Sequence, residues 1–173
     1  MTLETARLIL SPWQAADWEA FRPIATDPEV MRYITGGVAW TDGQIQAFVE
    51  RQTTVYRERG FCRWKLVDKA SAELTGFCGV GFWKDSREPE IGWWLGRRWW
   101  GRGLATEAAT TALGDAFDRV GLPRLISVAE RENRASIRIM QKLGLEFDRE
   151  FEAEGCELVQ YAMDRAQWTA RMA

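Results

Sequence analysis

One stretch, residues 90–120 (EIGWWLGRRWWGRGLATEAATTALGDAFDRV), constrains the fold more than any other part of the chain. It begins with a short apolar strand over 91–95 and continues with an arginine- and glycine-rich turn over 97–103. Apolar residues then recur from Leu104 to Val120 at the spacing of one buried helical face. The stretch therefore predicts a strand, a glycine turn and an amphipathic helix in direct succession.

The turn has the properties of a site for an anionic group. A helix N-terminus leaves several backbone N–H groups without partners, and its dipole favours negative charge. Gly101 and Gly103 carry no side chain that would keep a ligand from these amides, and Arg97, Arg98 and Arg102 supply guanidinium groups at the same end. Arginine suits bidentate contacts to phosphate, so the turn predicts a phosphate or pyrophosphate site. The alternative is a tight turn with solvated arginines.

Two common phosphate-binding motifs are absent from this turn. The Walker pattern G-x-x-x-x-G-K-[ST] does not occur, and Thr106 stands where a dinucleotide fingerprint requires its third glycine. The sequence is instead R-x-x-G-x-G over residues 98–103, followed by Leu104 and Ala105. This pattern resembles the acetyl-CoA pyrophosphate loop of the Gcn5-related N-acetyltransferases (GNAT superfamily). More narrowly, EIGWWLGRRWWGRGLATEA resembles the branch that contains the ribosomal-protein-alanine N-acetyltransferases.

Composition limits both the chemistry and the compartment. The chain has no histidine, which excludes triads with a histidine base and imidazole zinc sites. Cys62, Cys78 and Cys156 form no C-x-x-C pair, which argues against a disulfide framework and favours a reducing cytoplasm. We find no signal peptide and no apolar run of about 18 residues. With a net charge of −2 and no basic block outside the turn, we expect neither nucleic acid nor a membrane as a partner.

The order of predicted elements indicates one domain over residues 1–173. Strands are predicted over residues 5–13, 61–67, 76–83, 91–95, 124–129, 145–151 and 157–163. A weak helical stretch covers 15–25, further helices begin at Asp27, Thr41, Leu104 and Asn133, and a short helix covers 164–172. This order predicts an α/β (α+β) fold, with a mixed, mostly antiparallel sheet and helices on both faces. The resemblance extends to about Met163 and implies the same GNAT-like fold.

The resemblance implies acetyl transfer from acetyl-CoA, as co-substrate and without a metal, to a primary amine by direct attack in a ternary complex. In the family the pantetheine arm pairs like an extra strand beside the fourth strand, where it separates from the fifth; here these are residues 93–96 and 125–129. The backbone N–H of Leu95 would then bind the oxyanion that develops on the acetyl group. The implied cofactor-binding residues are Trp93, Trp94, Leu95, Arg98, Gly101, Arg102, Gly103, Leu104, Ala105, Thr106, Asn133 and Ser136.

Several proton-transfer and capping roles stay open. Asn133 serves equally well as a plain helix cap. Met140 stands where many family members carry a tyrosine that protonates the leaving thiolate, so water, another group or release of free thiolate would replace it. Carboxylates are the first candidates for the base, and Glu90 would act through water, although it also suits a surface ion pair with Arg87. The other candidates for the base are Glu73, Glu130 and Glu132.

The acceptor amine belongs either to a peptide N-terminus or to a small molecule. Its pocket would be built from DPEVMRYI, the helix from Thr41 and the terminal hairpin. Aromatic walls would come from Trp18, Tyr33, Trp40, Trp83 and Trp94. A non-catalytic acyl-CoA-binding sensor or subunit is an alternative, as is a protein for another nucleotide, against which the missing Walker lysine and third glycine argue. Exposed tryptophans or an open sheet edge would permit a homodimer.

Overall fold

The computed structural model describes residues 1–83 and 86–173 of the chain. The strands in this part are β1 (Leu3–Glu4), β2 (Leu8–Ser11), β3 (Arg63–Asp68), β4 (Leu74–Phe82), β5 (Pro89–Leu95), β6 (Arg124–Glu130), β7 (Glu146–Ala153) and β8 (Cys156–Asp164). The helices are α1 (Asp17–Ala25), α2 (Pro28–Thr35), α3 (Asp42–Arg59), α4 (Leu104–Gly114), α5 (Arg134–Leu143) and α6 (Arg165–Met172). A wider helical turn, Asp115–Val120, continues α4 to the end predicted for it.

The described strands form a single mixed sheet in the order β1-β2-β3-β4-β5-β6-β8-β7. Neighbouring strands are antiparallel except β5 and β6, which run parallel. The β4–β5 pair is continuous from Gly76–Leu95 to Phe82–Pro89, whereas β5 and β6 are in register at Glu90–Ile126 alone among the residues described. The predicted mixed, mostly antiparallel sheet is therefore confirmed, and it has one weak seam.

The buried side chains form two clusters, one on each face of the sheet. Cys78, Val80, Ile91 and Leu95 belong to the cluster beneath α4, α5 and α6. Phe77 and its cross-strand neighbour Trp94 belong to the cluster beneath α1 and α3. Because successive residues of a strand point to opposite faces, this division follows directly from the sequence of β4 and β5. The helices on both faces were predicted and are confirmed.

The N-terminal region differs from its prediction in two respects. The strand expected over 5–13 is the shorter β2, and an additional short strand, β1, precedes it. The chain reverses between them, where Thr5 N donates to Leu8 O at 2.9 Å and Leu8 N donates to Thr5 Oγ1 at 2.8 Å. The weak helical stretch over 15–25 is a helix, α1, whose buried Phe21 contributes to the second cluster. As a result, the strands expected to separate as fourth and fifth are β5 and β6.

Candidate active site

A cleft of about 1260 Å³ opens where β5 and β6 separate. Its walls come from the ends of these two strands, the turn before α4, the start of α5, helix α2 and the β7–β8 hairpin. The cleft therefore lies where two neighbouring strands inside the described sheet are paired at a single register position. Its lining includes residues of the stretch 90–120, which the sequence analysis identified as the strongest constraint on the fold.

The turn before α4 presents free backbone donors to this cleft. Gly101 and Gly103 have φ of +68° and +75°, the left-handed region that glycine adopts without strain. Within the residues described, the amides of 101–106 donate to no protein acceptor, and the first helical bond is Glu107 N to Gly103 O at 3.0 Å. These amides and the α4 dipole together fit an anion such as pyrophosphate.

The arginines of the turn are engaged with the protein rather than free. Arg97 pairs with Asp27 at 3.2 Å, and Arg98 forms a two-bonded pair with Glu73, the shorter N–O distance being 2.7 Å. The Arg102 guanidinium lies 5.0 Å from the Trp99 ring centroid. None of the three belongs to the described cleft lining, so at the turn itself the backbone amides are the donors that face the cleft. The contacts predicted from Arg98 and Arg102 to the cofactor stay predictions.

Leu95 directs its backbone N–H into the gap between β5 and β6. Gly96 N donates to Thr75 O of the neighbouring strand at 2.9 Å, and because bonding alternates along an antiparallel ladder, Leu95 faces the other way. Two contacts on that side agree with this direction. Trp100 Nε1 donates to Leu95 O at 2.8 Å, and Ser127 Oγ donates to Ile91 O at 3.0 Å. Leu95 N–H is thus placed to bind an oxygen inside the cleft.

The tryptophans beside Leu95 lie on opposite faces of β5. Trp93 packs against the cluster beneath α4, and Trp94 packs against the cluster beneath α1 and α3. Both also line the cleft, as do the predicted cofactor residues Gly101, Gly103, Leu104, Ala105 and Thr106.

At the start of α5, both predicted residues line the cleft. Asn133 Oδ1 accepts a bond from Ser136 N at 3.2 Å, so Asn133 is the helix cap that the sequence indicates. Met140, at the position of the family's tyrosine, is 1% exposed and also lines the cleft. Its thioether has no proton to donate.

Glu90 is not the surface carboxylate paired with Arg87 that the sequence favours. It is 6% exposed, and its Oε2 accepts a bond from Arg63 Nη2 at 2.6 Å. Burial raises the pKa of Glu90, opposed in part by the Arg63 charge and by a bond from the Val128 amide. The side chain of Arg63 reaches Glu90 across Gly81, where a Cβ would come within 2.8 Å of Arg63 Nε. No local pattern could reveal this pair, because its members are 27 residues apart.

The other three candidate bases differ in whether they line the cleft. Glu130, at the end of β6, lines the cleft, as Glu90 does. Glu73 is bonded to Arg98, and neither Glu73 nor Glu132 belongs to the described lining. Of these three carboxylates, Glu130 is the one placed to exchange a proton with a ligand in the cleft.

The aromatic wall is partly as predicted. Tyr33, Trp83 and Trp94 line the cleft. Trp40 lies behind Trp94, with ring centroids 4.9 Å apart, and Trp18 packs against the second cluster. The predicted contributions of α2, α3 and the terminal hairpin to the lining are all present.

One residue that contacts the turn, Arg7, was not predicted from the sequence. Arg7 Nη1 donates to Arg102 O at 2.9 Å, and the same side chain pairs with Glu107 at 2.6 Å. Arg7 therefore ties the turn to the first helical turn of α4. The contact joins residues 95 positions apart, so periodicity and motif spacing carry no signal for it.

Two further findings concern the described residues as a group. No helix in residues 1–83 or 86–173 combines the length and apolarity needed to cross a bilayer. In the same residues, no three or more Asp, Glu or Cys side chains are gathered as metal ligands would be.

Comparisons with known proteins agree with this fold. Residues 7–146 match the family model described as acetyltransferase (GNAT) domain. An uncharacterized N-acetyltransferase of Bacillus subtilis, YnaD, is 31% identical over 84% of this chain and 82% of its own length. FsC-acetyl coenzyme A-N(2)-transacetylase of Aspergillus fumigatus is 29% identical over 83% of this chain and 64% of its own length.

Solved structures give the same result. An acetyltransferase (GNAT family) from Bacillus anthracis superposes with a TM-score of 0.82 at 25% identity, covering 96% of this chain and 99% of that one. RimL, a ribosomal L7/L12 alpha-N-protein acetyltransferase in complex with coenzyme A, has a TM-score of 0.79 over 95% of this chain and 98% of its own, at 12% identity, which shows the fold alone. The chain therefore belongs to the GNAT acetyltransferase family and is an N-acetyltransferase, one of the acyltransferases.

Proposed function

We propose that the protein transfers the acetyl group of acetyl-CoA to a primary amine, on a peptide N-terminus or a small molecule, by direct attack while both substrates are bound. The observation that carries this proposal is the pairing of two features in one cleft. Unpaired amides over 101–106 lie at one end, and the Leu95 N–H points into the strand gap. The first suits a pyrophosphate and the second suits an acyl oxygen.

Acetyl-CoA would supply an already activated thioester, so the residues of this chain need mainly to position groups and stabilise charge. The amides of 101–106 would hold the pyrophosphate. Leu95 N–H would donate to the acetyl oxygen as negative charge develops on it. Asn133 and Ser136 would contact the arm between these two points.

Glu90 is the proposed base, acting through water. Its Cα and that of Leu95 are about 16 Å apart along β5 at the usual rise per residue, so the carboxylate does not touch the attacking amine. A raised pKa suits a group that must accept a proton near neutral pH. Met140 leaves the thiolate without a protein acid, which is tolerable because a free thiol has a pKa of about 8.5.

The names of similar proteins support both halves of the reaction. The Aspergillus relative is named for acetyl coenzyme A and for transfer to a nitrogen, and RimL for a protein α-amine. These names leave the acceptor class open between small amines and peptide N-termini. We place the enzyme in the cytoplasm, and we leave a homodimer as the alternative to a monomer.

Calorimetric titration with acetyl-CoA, CoA, ATP and NAD, beside a thiol-release assay over mixed amines and N-terminal peptides, tests the proposal. We expect acetyl-CoA and CoA to bind, ATP and NAD to bind far more weakly, and thiol release to depend on one class of amine. Acetyl-CoA binding without release on any amine would favour a non-catalytic sensor or subunit. Preference for ATP or NAD would reject the assignment of the turn.

A further inference from the structure

We infer that the acceptor is a small molecule that carries both the amine and a carboxylate, and that Arg51 and Arg63 bind this carboxylate. The inference rests on the proposed acetyl transfer and specifies its acceptor. It comes from the charges on the cleft wall formed by α2, α3, β3 and β5, which the reaction itself leaves unexplained.

Arg63 has more hydrogen-bonding capacity than the protein uses. Its Nη2 donates to Glu90, while its Nε is buried and has no partner among the described residues. The guanidinium carbon lies 5.8 Å from the Phe77 ring centroid, beside Gly92 of β5. The Nε lies over Gly81 and is sealed from the cleft, so the donor left for a ligand is Nη1, which bonds to no acceptor among the described residues.

Arg51 supplies a second guanidinium beside the first. It belongs to α3 and lines the cleft, and its guanidinium carbon lies 5.9 Å from the Phe48 ring centroid. The rings of Phe48 and Phe77, on which the two arginines rest, are 5.1 Å apart. Partial burial and the nearby charge of Arg63 lower the pKa of Arg51, so the two cations interact unfavourably with each other.

The surrounding charges do not neutralise this pair. Among the other charged residues of the described lining, three carboxylates balance three cations in number: Glu29, Glu130 and Glu154 against Arg32, Arg138 and Lys142. Glu90 is left for both guanidiniums. Arg51 forms no ion pair with any carboxylate in the part of the chain that is described. A bound carboxylate would supply the missing negative charge and accept bonds from a planar fork, the geometry that arginine favours.

The rest of this wall indicates the chemical character of the remaining part of the ligand. Phe77, Trp94 and Tyr33 line it with apolar and aromatic surface. A primary amine directed toward Leu95, an apolar body against these rings and a carboxylate on the two arginines describe an amino acid. A peptide N-terminus brings the amine without a carboxylate fixed at the same place, so we exclude it as the preferred acceptor.

Matched acceptors test the inference directly. Phenylalanine and leucine are compared with their amides and with phenethylamine and isoamylamine, using the thiol-release assay at saturating acetyl-CoA. We expect kcat/KM to be roughly tenfold to a hundredfold higher for the acids, as for the gain of hydrogen bonds between charged groups. Amidated tri- and tetrapeptides with free N-termini test the competing possibility, that the acceptor is a peptide N-terminus. Equal rates for acids and amides, or a preference for the peptides, would overturn the inference.

Two variants separate charge recognition from folding. Arg51→Gln should abolish the preference for acids over amides, while the KM for acetyl-CoA stays unchanged. Arg57→Gln, an exposed arginine of the same helix that is outside the described lining, is the control and should keep the preference. Preference retained in Arg51→Gln would reject the assigned role. Absence of turnover with every amine in the wild type would instead reject the proposed acetyl transfer.

Discussion

Glu90 combines a carboxylate with surroundings that disfavour its charge. Burial raises its pKa above the ordinary value of 4.5, opposed by Arg63, so the basic form accumulates at higher pH than for an exposed glutamate. If Glu90 is the base, kcat/KM should rise with pH with an apparent pKa above that ordinary value. Glu90→Gln should lower kcat by roughly a hundredfold or more, leave acetyl-CoA affinity nearly unchanged and remove this rise.

Glu130→Gln is the matched variant for Glu90, since both carboxylates line the cleft. It should keep the wild-type pH profile, and a Glu90→Gln enzyme with that profile would exclude Glu90 as the base.

The pH dependence of folding stability gives an independent test of the raised pKa of Glu90. A raised pKa means that the folded protein binds this proton more tightly than the unfolded chain. Its stabilising contribution is therefore complete below the ordinary glutamate pKa of 4.5 and is lost as pH rises through the raised pKa of the folded protein.

Gly103 tests the amides of the turn at the scale of one residue. Gly103→Trp should abolish acetyl-CoA binding in calorimetry, because the side chain would cover the donors of 101–106. The left-handed backbone, φ +75°, adds strain of about 1–2 kcal/mol for any other residue. Gly121→Trp is the control, with φ +78° and the same 3.7 Å from its Cβ position to an arginine nitrogen. Both variants should lose similar stability, and binding retained by folded Gly103→Trp would reject the site.

At the scale of elements, the link between β2 and α4 determines how firmly the turn is held. Arg7 bonds to the carbonyl of Arg102 and to Glu107. Burial opposes the ionised form of Glu107, but bonds from Thr5 and Arg7 outweigh it and hold the pKa of Glu107 below its usual range. This carboxylate therefore stabilises the fold above the unfolded pKa, and the contribution is lost as pH falls through the folded pKa.

Arg7→Ala should weaken acetyl-CoA binding about fivefold, the effect of one hydrogen bond of about 1 kcal/mol that fixes the loop. Stability should fall little, because the Arg7 side chain is 46% exposed and exposed ion pairs contribute about 0–1 kcal/mol. Arg22→Ala removes a more exposed ion pair, with Asp42, away from the turn and should bind acetyl-CoA normally. Identical affinities of Arg7→Ala and wild type, measured by calorimetry, would show that the turn needs no such support.

Elements whose signals are local could be predicted from the sequence. The helix predicted to begin at Thr41 is α3, where Thr41 and Gln44 form a capping box, and Asn133 caps α5 as expected. The glycine turn before α4 was also correct, because left-handed positions and free amides depend on neighbouring residues alone. The β1–β2 reversal was missed, since its bonds from Thr5 substitute for the usual turn residues.

The candidate site could be predicted along β5 and α4 but not across the sheet. Gly103 and Leu95 belong to the stretch that carries the motif, and both line the cleft. The partners of Glu90 and Arg98 could not be predicted, because Arg63 belongs to β3 and Glu73 to the turn before β4, and both contacts form through the pairing of distant parts of the chain. Charge alone gives no direction for a side chain. Hence free arginines and a surface glutamate were expected where the structure has ion pairs.

At the scale of the whole molecule, the sheet consists of two halves, β1–β5 and β6–β8, that share one register pair, Glu90–Ile126. The cleft lies where these halves separate, so a ligand that pairs with β5 also fills the space between them. At a hundred times its Kd, acetyl-CoA should add about 2.7 kcal/mol of stability, or roughly 5–11 °C in Tm for a chain of this size.

Hydrogen exchange would show where this stability arises. Acetyl-CoA should slow exchange of the amides over 101–106 and over 93–96, because the first set has no protein acceptor and Leu95 faces the gap. The Gly103→Trp variant should show neither protection nor a Tm increase, which separates bound ligand from solvent effects. Protection of 101–106 without any change over 93–96 would mean that the ligand stops at the turn. The strand gap would then have no part in holding the acetyl group.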